Sequence, residues 1–395
     1  MKKYRRLLTL LLAAVMLLAL SACGQTSTPA NAAETTASAA ATTASAATTA
    51  ETTASAATTA ASAGPRTITD MAGRQVEIPG EIDAIATVGC AARWVTYAGA
   101  ADKLIGCTEL EISCPAGMPY TYANSEIFSK CTPTGSGGSG DANYVEEIVT
   151  LAPDVVFSSS VDASKLDELQ TQIGIPVIGV YATSFNSADF PETLALIGDI
   201  MGTGDHASAV IDAIQGWLDD LDTRTKDIPD ADKPTVYPGA VSFSGGHGFE
   251  GTFGQYPPFV VIHAKNVVDE TGEKGGMTID LEKVTTWDPD YIFLNPGNMS
   301  YVEDDYKTNA AFYESLSAVK NGNVYAQVNF NYFSCNMELA IVDAYYAATI
   351  IYPDQFADVD FTAKAEEVFN TMLGCNYLNV LDENGLGFGQ ITIGE

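Results

Sequence analysis

The chain has 395 residues, a formal net charge of −31 at pH 7 and a hydrophobic fraction of 46%. A charge this negative argues against nucleic-acid binding, which needs a basic face, and against non-specific attraction to anionic lipid. The hydrophobic fraction is that of a globular protein, whereas the charge by itself says little about the fold.

The N-terminus has the composition of an export signal. Four basic residues precede an apolar run from Leu7 to Leu20, and the Leu-Ser-Ala sequence before Cys23 resembles a bacterial lipobox. The run is shorter than the roughly 20 residues that a membrane-spanning helix needs. We therefore expect residues 1–22 to be a lipoprotein signal peptide, and Cys23 to carry the lipid that anchors an extracytoplasmic protein to the bacterial cell membrane. An ordinary signal peptide or a short anchor helix is the alternative.

Residues 23–65 consist of Cys23 and a segment that is almost entirely Ala, Thr and Ser. It has no aromatic and no large aliphatic side chain, so it cannot build a core. We expect a disordered tether with an r.m.s. reach of roughly 35 Å.

The remaining residues, 66–395, are numerous enough for two lobes rather than one core. A weak internal duplication supports this division, because residues 143–157 read much like residues 280–293 and share a Pro-Asp pair. In each copy, a polar N-cap, Asn143 or Asp280, and an early Glu favour a short helix, proline stops it, and an apolar strand follows.

Four apolar runs have the composition of buried strands in a parallel sheet. They are Val155–Phe157, Ile175–Val180, Tyr291–Phe293 and Asn323–Val328. Helices that alternate with such strands predict an α/β fold with parallel-rich sheets.

Between the halves, residues 190–228 predict a short helix and then an amphipathic helix of about 20 residues, roughly 30 Å long. Asp205 can cap this second helix. Such a helix is long enough to join two lobes, and a packing helix within one lobe is the alternative. We therefore predict an N-terminal α/β lobe at 66–189, connecting helices at 190–228 and a C-terminal α/β lobe at 229–395.

Six cysteines remain after Cys23, and an even number in an exported chain is compatible with disulfides. Cys107, Cys114 and Cys131 are close enough in sequence to supply one local bridge. Free buried thiols are the alternative, and the absence of a C-x-x-C sequence gives a structural zinc site little support.

Several segments, in their order and spacing, match one class of binding protein. Thr67–Pro79 looks like its entry hairpin, Ala98–Gly106 like its first helix and second strand, and the duplicated units like further elements. Ser242–Phe249 and Tyr256–Phe259 look like the members of the class that are labelled as iron transporters. The chain thus resembles the ABC-transporter substrate-binding proteins that handle iron chelates and cobalamin.

The resemblance implies two α/β lobes joined by one long helix, with the ligand in the cleft between the lobes. It implies a protein that captures a small-molecule metal chelate and delivers it to an importer permease driven by a cytoplasmic ATPase. On this interpretation the protein is a monomer without a cofactor and without catalytic activity.

In the first lobe, three loops are candidates for ligand contact because polar and aromatic groups on loops suit a capture site. Their residues are Cys90, then Tyr120 and Tyr122, then Ser136 and Ser139 in a Gly-rich turn. The backbone N–H groups of that turn suit an anionic oxygen. A buried or disulfide-bonded Cys90 and a plain flexible turn are the alternatives.

In the second lobe, His247 lies in a Gly-rich loop that also contains Ser244. His247 is a candidate for pocket lining and, less strongly, for direct metal ligation. Tyr256, Asn331 and Tyr332 are further lining candidates, and packing of their loops is the alternative.

Docking to a permease needs surface acids, and in the family one Glu on each lobe pairs with basic permease residues. We expect Glu126 and Glu282 to fill these roles here. A solvated acid in the first turn of a helix is the alternative for each.

The sequence leaves other functions open. A metal-dependent hydrolase has little support, since three scattered His and no complete motif offer no ligand set. A molybdate, tungstate or cobalamin receptor of the same fold, and a surface adhesin or sensor, remain alternatives. We predict a lipid-anchored receptor for an iron-containing compound such as a siderophore or haem.

Overall fold

The computed structural model describes residues 64–138 and 142–394, so Cys23, Ser139, the signal peptide and almost all of the tether lie outside the described residues. The strands are β1 Arg66–Thr69, β2 Gln75–Ile78, β3 Ile85–Val88, β4 Leu104–Cys107, β5 Thr132–Pro133, β6 Val155–Ser158, β7 Val177–Gly179, β8 Thr235–Gly239, β9 Gly251–Gly254, β10 Lys265–Asn266, β11 Gly275–Thr278, β12 Tyr291–Leu294 and β13 Val324–Ala326.

The helices are α1 Ala91–Tyr97, α2 Glu109–Ile112, α3 Pro119–Tyr122, α4 Ser125–Phe128, α5 Val145–Leu151, α6 Ala163–Ile173, α7 Asp189–Met201, α8 Gly204–Thr225, α9 Pro257–Val260, α10 Leu281–Trp287, α11 Met299–Ser315, α12 Ser317–Asn321, α13 Met337–Ile351, α14 Phe361–Leu373 and α15 Leu378–Glu383. Short 3-10 turns occupy Ala101–Lys103, Val267–Thr271 and Pro296–Asn298.

Two parallel sheets organise the described chain. The first has the strand order β5-β4-β3-β6-β7, and the second has the order β10-β8-β12-β13. All four residues of β3 and of β6 are buried, as expected for strands covered on both faces. Two antiparallel pairs, β1-β2 and β9-β11, stand apart from these sheets. The α/β fold class predicted from the sequence is confirmed.

The duplicated unit is present in both halves. Helix α5 leads into β6, and α10 leads into β12. Ala152 and Asp288 end the two helices in the same left-handed conformation, each directly before a proline. Asp280 caps α10 by accepting a hydrogen bond from Glu282 N, as predicted, but the N-cap of α5 is Tyr144 rather than Asn143.

The predicted long helix is α8, which has 22 residues and begins at Gly204, one residue before the predicted cap. Near its start, Ala207 packs against Gly198 of α7. Near its end, Trp217 Nε1 donates to Glu367 Oε1 of α14 at 2.8 Å, and Tyr345 OH of α13 donates to Asp220 Oδ2 at 2.9 Å. The helix therefore contacts elements on both sides of it in sequence. The lobe boundaries at 66–189 and 229–395 stay predictions.

The cysteines outside the lipobox are free thiols, so the local bridge considered for Cys107, Cys114 and Cys131 is not formed. The thiols of Cys107 and Cys131 are hydrogen-bonded to each other, and this bond together with burial raises the pKa of Cys107. Within residues 64–138 and 142–394, no helix is both long enough and apolar enough to cross a membrane.

Candidate ligand-binding site

The loops that follow the parallel strands form the candidate site, because ligands of α/β proteins bind outside the carboxyl ends of the strands. At the second sheet, the chain segments after β8, β12 and β13 enclose a cavity of about 450 Å³. This volume lies within the usual range for small-molecule sites. The lining residues come from these three segments and from the start of α11: Ser242, Phe243, Ser244, Gly245, Gly246, Gly297, Asn298, Ser300, Tyr301, Asn329, Asn331, Tyr332 and Phe333.

Aromatic rings, amides and hydroxyls make up this lining, together with three glycines. Tyr301 and Tyr332 expose large parts of their rings, 53% and 40% of the residue surface. Asn298 Nδ2 donates to Ala240 O and to Ser242 Oγ, both at 2.8 Å, and so ties the segment after β12 to the one after β8. The lining therefore offers flat apolar surfaces beside uncharged hydrogen-bonding groups.

The loop between β13 and α13 carries four of the lining residues, and Asn336 holds it in place. The Asn336 side chain is fully buried, and its Nδ2 donates to Phe330 O at 3.0 Å and to Tyr332 O at 3.2 Å. Phe333 and Ser334 have φ angles of 53° and 73°, a conformation that non-glycine residues seldom adopt. The buried hydrogen bonds of Asn336 thus offset the backbone strain at Phe333 and Ser334 and hold Tyr332 in position.

Arg93 of α1 reaches the same loop from the first half of the chain. The residue is fully buried, and its Nη2 donates to Tyr332 O and to Asn336 Oδ1, both at 3.3 Å. Its guanidinium carbon lies 4.6 Å from the centre of the Tyr120 ring. Beside it, Tyr97 OH donates to Glu338 Oε2 of α13. A buried polar cluster therefore joins the first half of the chain to the loop between β13 and α13.

Buried carboxyl groups accompany this guanidinium. Burial raises the pKa of Glu111 to about 7, although hydrogen bonds from Thr108 and Tyr120 and the charge of Arg93 oppose the shift. Burial also raises the pKa of Glu338 and of Asp343. Burial thus favours the neutral form of both carboxyl groups that interact with Arg93, Glu111 and Glu338.

Of the predicted residues in the first half, those that the structure describes, Cys90, Tyr120, Tyr122 and Ser136, do not line this cavity. Tyr120 is fully buried and donates to Glu111 Oε1 at 2.9 Å, so it presents no surface to a ligand in this conformation. Cys90 is nearly buried, and its backbone N donates to Ser159 Oγ at 3.1 Å. Tyr122 is exposed and packs edge-on against Tyr377, while Ser136 follows β5 and is half-buried. Their contact with a ligand stays a prediction.

In the second half, the structure brings together Ser244, Asn331 and Tyr332, which were all predicted as lining residues. Tyr256 lies elsewhere, buried against Phe259 and other rings before α9. His247 stands behind the lining. Its ring stacks on Phe243 with 3.9 Å between centroids, and its Nε2 lies 2.9 Å from Phe243 O.

In the part of the chain that the structure describes, His247 is not part of a set of metal-ligating side chains. His247 Nδ1 lies 4.0 Å from Glu250 Oε1, and no group of three or more His, Cys, Asp or Glu side chains with metal-site geometry occurs there. The stacking of the His247 ring therefore indicates that this residue supports the Phe243 ring.

Sequence reasoning missed Asn298, Tyr301 and Phe243. A usable signal existed for the first of these, since Asn295-Pro-Gly-Asn298 directly follows a predicted buried strand and has turn-forming composition. Tyr301 is placed by the start of α11, whose existence the sequence analysis did not predict.

The two predicted docking acids are exposed on separate helices, Glu126 on α4 and Glu282 in the first turn of α10. Because α10 leads directly into β12, its first turn lies toward the carboxyl edge of the second sheet. Glu282 therefore lies toward the same edge as the cavity.

Comparisons with known proteins agree with this fold. A model of the periplasmic binding protein family matches residues 85–327. A periplasmic solute binding protein from Veillonella parvula is similar in structure, with a TM-score of 0.66 and 19% identity over 82% of this chain and 97% of that chain. No curated protein matches the chain at a significant level.

Two other solved structures carry more specific names. The molybdate-bound periplasmic protein MolA of Haemophilus influenzae has a TM-score of 0.60 and 20% identity, covering 79% of this chain and 99% of its own. The iron-uptake system-binding protein FeuA of Bacillus subtilis has a TM-score of 0.51 and 19% identity, covering 72% and 99%. At such identities these likenesses show the fold alone. Since the family match spans more than half of the chain, the protein belongs to the periplasmic binding protein family, the extracytoplasmic solute-binding components of ABC importers.

Proposed function

We propose that this protein is a lipid-anchored receptor that captures an iron chelate in the cavity beside β8, β12 and β13 and delivers it to an importer permease. The observation that carries the proposal is the lining itself, in which Phe243, Tyr301 and Tyr332 present ring surfaces beside amide and hydroxyl groups. A bulky organic chelate offers matching surfaces, because its metal is already enclosed by its own ligands. Such a ligand needs no metal-coordinating side chain from the protein.

Capture and release require the cavity to open toward solvent and toward the permease. Tyr332 lies at the boundary with the first half of the chain, since a side chain at Gly117 would meet its ring at 3.1 Å. Small displacements at this boundary would change access to the cavity. Glu126 and Glu282 are the proposed contacts with basic permease residues, and Cys23 is the proposed lipidation site.

An oxyanion receptor is the second candidate, because Ser244, Gly245 and Gly246 place backbone amides and a hydroxyl at the cavity wall. The MolA structure shows that the fold accommodates molybdate. The exposed rings of Tyr301 and Tyr332 favour the chelate, since a small oxyanion leaves them without contacts.

A thermal-shift screen of the mature, unlipidated chain tests the proposal. The panel contains ferric hydroxamate and catecholate chelates, ferric citrate, haem, cobalamin, molybdate and tungstate. A ligand at 100 times its Kd adds about 2.7 kcal/mol to the free energy of unfolding and raises Tm by several degrees.

A selective shift with an iron chelate supports the proposal. A shift with molybdate or tungstate alone moves the assignment to the oxyanion receptor. No shift with any compound contradicts both and favours a sensor or adhesin.

A further inference from the structure

We infer that the cavity accepts a bulky metal complex without net negative charge, an inference that rests on the proposed function and narrows its ligand. An uncharged or cationic ferric chelate fits this description, as does a corrinoid. Chelates that keep several ionised catecholates or carboxylates do not fit it.

The first argument is the lining, which contains no Lys, Arg or His and no other charged side chain. An anion that enters such a site loses its hydration and must recover the cost from converging donors or a cation. The side-chain amide N–H groups of Asn298 are already engaged with Ala240 O and Ser242 Oγ. They are therefore directed at the protein and away from a ligand.

The second argument is an acceptor. Asn331 lines the cavity, and its Oδ1 atom is enclosed and has no hydrogen-bond partner within the described part of the chain. A buried acceptor without a partner costs free energy, and a donor on the ligand would recover this cost where ligand entry shifts the loop and uncovers the atom. A ligand with N–H or O–H groups, or with positive charge, complements this atom, whereas an anionic oxygen is repelled by it.

Arg93 is the cation to consider, since it bonds to the backbone of Tyr332. It is fully buried beneath the loop, and Tyr120 covers its guanidinium face. Its Nε and Nη1 atoms have no hydrogen-bond partner among the described residues, but Arg93 does not line the cavity. The carboxyl group of Glu338 is buried in the same cluster.

The surroundings of Arg93 already contain carboxyl groups. Glu111 and Glu338 are buried near it, and its charge lowers their pKa against the larger effect of burial, so the three groups interact electrostatically. An anion beside Arg93 would therefore share the guanidinium with these two carboxyl groups.

The net charge of the whole molecule also disfavours the capture of anions. Removal of the first 22 residues takes away four basic groups, and the mature chain carries a formal charge of −35. Such a charge slows the approach of anions and assists the approach of cations, most strongly at low ionic strength.

The test compares ferric chelates of similar bulk and different charge. We would measure the Kd of the mature chain for an uncharged ferric trihydroxamate, a cationic linear ferric trihydroxamate and an anionic ferric triscatecholate at low and physiological salt. We expect the first two to bind at least roughly 100-fold more tightly than the third, given the cost of like charge at a buried interface. Added salt should weaken the cationic chelate and spare the uncharged one.

Equal or tighter binding of the anionic chelate would overturn the inference and leave the proposed chelate receptor intact. If no chelate, haem, corrinoid or oxyanion binds, the proposed function fails and takes the inference with it. Two variants sharpen the result. Ser300 is exposed at the cavity rim, so S300K should bind the anionic chelate at least about tenfold more tightly than its matched control S300Q does. Equal affinity of the two variants would show that charge at the rim does not govern selection.

Discussion

The first and second sheets are both parallel, and the same helix–strand unit leads into a central strand of each, yet their carboxyl edges differ. At the first edge, Cys90 and Tyr120 are withdrawn into the core, and a buried polar cluster occupies the space beneath the loops. At the second edge, a cavity of about 450 Å³ lies open, with Tyr301 and Tyr332 exposed at its wall. The sheet and its helix–strand unit are thus repeated, whereas the cavity with exposed tyrosine rings belongs to the second edge.

From this difference we propose that the first edge supports the loops and that the second edge binds the ligand. Arg93 and Asn336 connect them, because both bond to the carbonyl of Tyr332, whose ring lines the cavity. If this division is correct, changes at the first edge should act on stability and on loop position. Changes at the second edge should act on affinity alone.

The largest expected effect follows from Arg93→Met. The variant loses two hydrogen bonds and the stacking on Tyr120, and it leaves Glu338 buried without its neighbouring cation. We expect the free energy of unfolding to fall by about 3 kcal/mol, measured by urea denaturation. Ligand affinity should fall as well, because Tyr332 is then held by Asn336 alone.

Lys130→Met is the matched control, since Lys130 is exposed on the same half of the chain. Its free energy of unfolding should change by less than about 0.5 kcal/mol. The double variant R93M/E338Q should recover part of the lost stability, because it removes the stranded acid together with the base. If R93M lowered the free energy of unfolding by less than about 1 kcal/mol, the buried polar cluster would not be what stabilises the first edge.

The second effect is a pH dependence that originates at Glu111. Its pKa is raised to about 7 by burial, so the folded chain binds a proton that the unfolded chain releases at lower pH. The contribution of this group to stability is therefore complete at acidic pH and is lost as the pH rises to about 7. We expect a loss of about 3 kcal/mol across this window, which the variant E111Q should lack.

Urea titrations of both proteins at several pH values between about 4.5 and 8 measure the difference. Glu338 and Asp343 are also shifted upward by burial and add slopes of the same sign to both proteins. The comparison between wild type and E111Q isolates the one carboxyl. Parallel curves would indicate that Glu111 titrates in the folded state as it does in the unfolded state.

Local sequence determined much of the scaffold. Pro153 and Pro289 end their helices where expected, and the apolar runs after them form β6 and β12, because these signals act within a few residues. The connecting helix has Thr203 as its N-cap, two residues before the predicted cap Asp205. The predicted N-cap at Asn143 was wrong by one position, which is the usual uncertainty of helix ends.

The site was harder to predict, because exposure depends on contacts between distant segments. Tyr120 and Tyr332 each have Pro, Gly or Asn nearby in the sequence, and nothing local distinguishes them. The structure buries the first against Glu111 and Arg93 and exposes the second. His247 stood out as one of three His, but its position behind Phe243 follows from the shape of its own loop.

The smallest effect that we predict separates the two edges most directly. Tyr332 and Tyr122 are similarly exposed, at 40% and 37%, and stand on opposite sides of the division. We expect Tyr332→Ala to weaken chelate binding about tenfold through loss of ring contact, with little change in Tm. Tyr122→Ala, the matched control, should leave the Kd unchanged, because Tyr122 packs on Tyr377 and does not line the cavity. Equal losses in both variants, measured by calorimetric titration, would mean that the first edge also contacts the ligand.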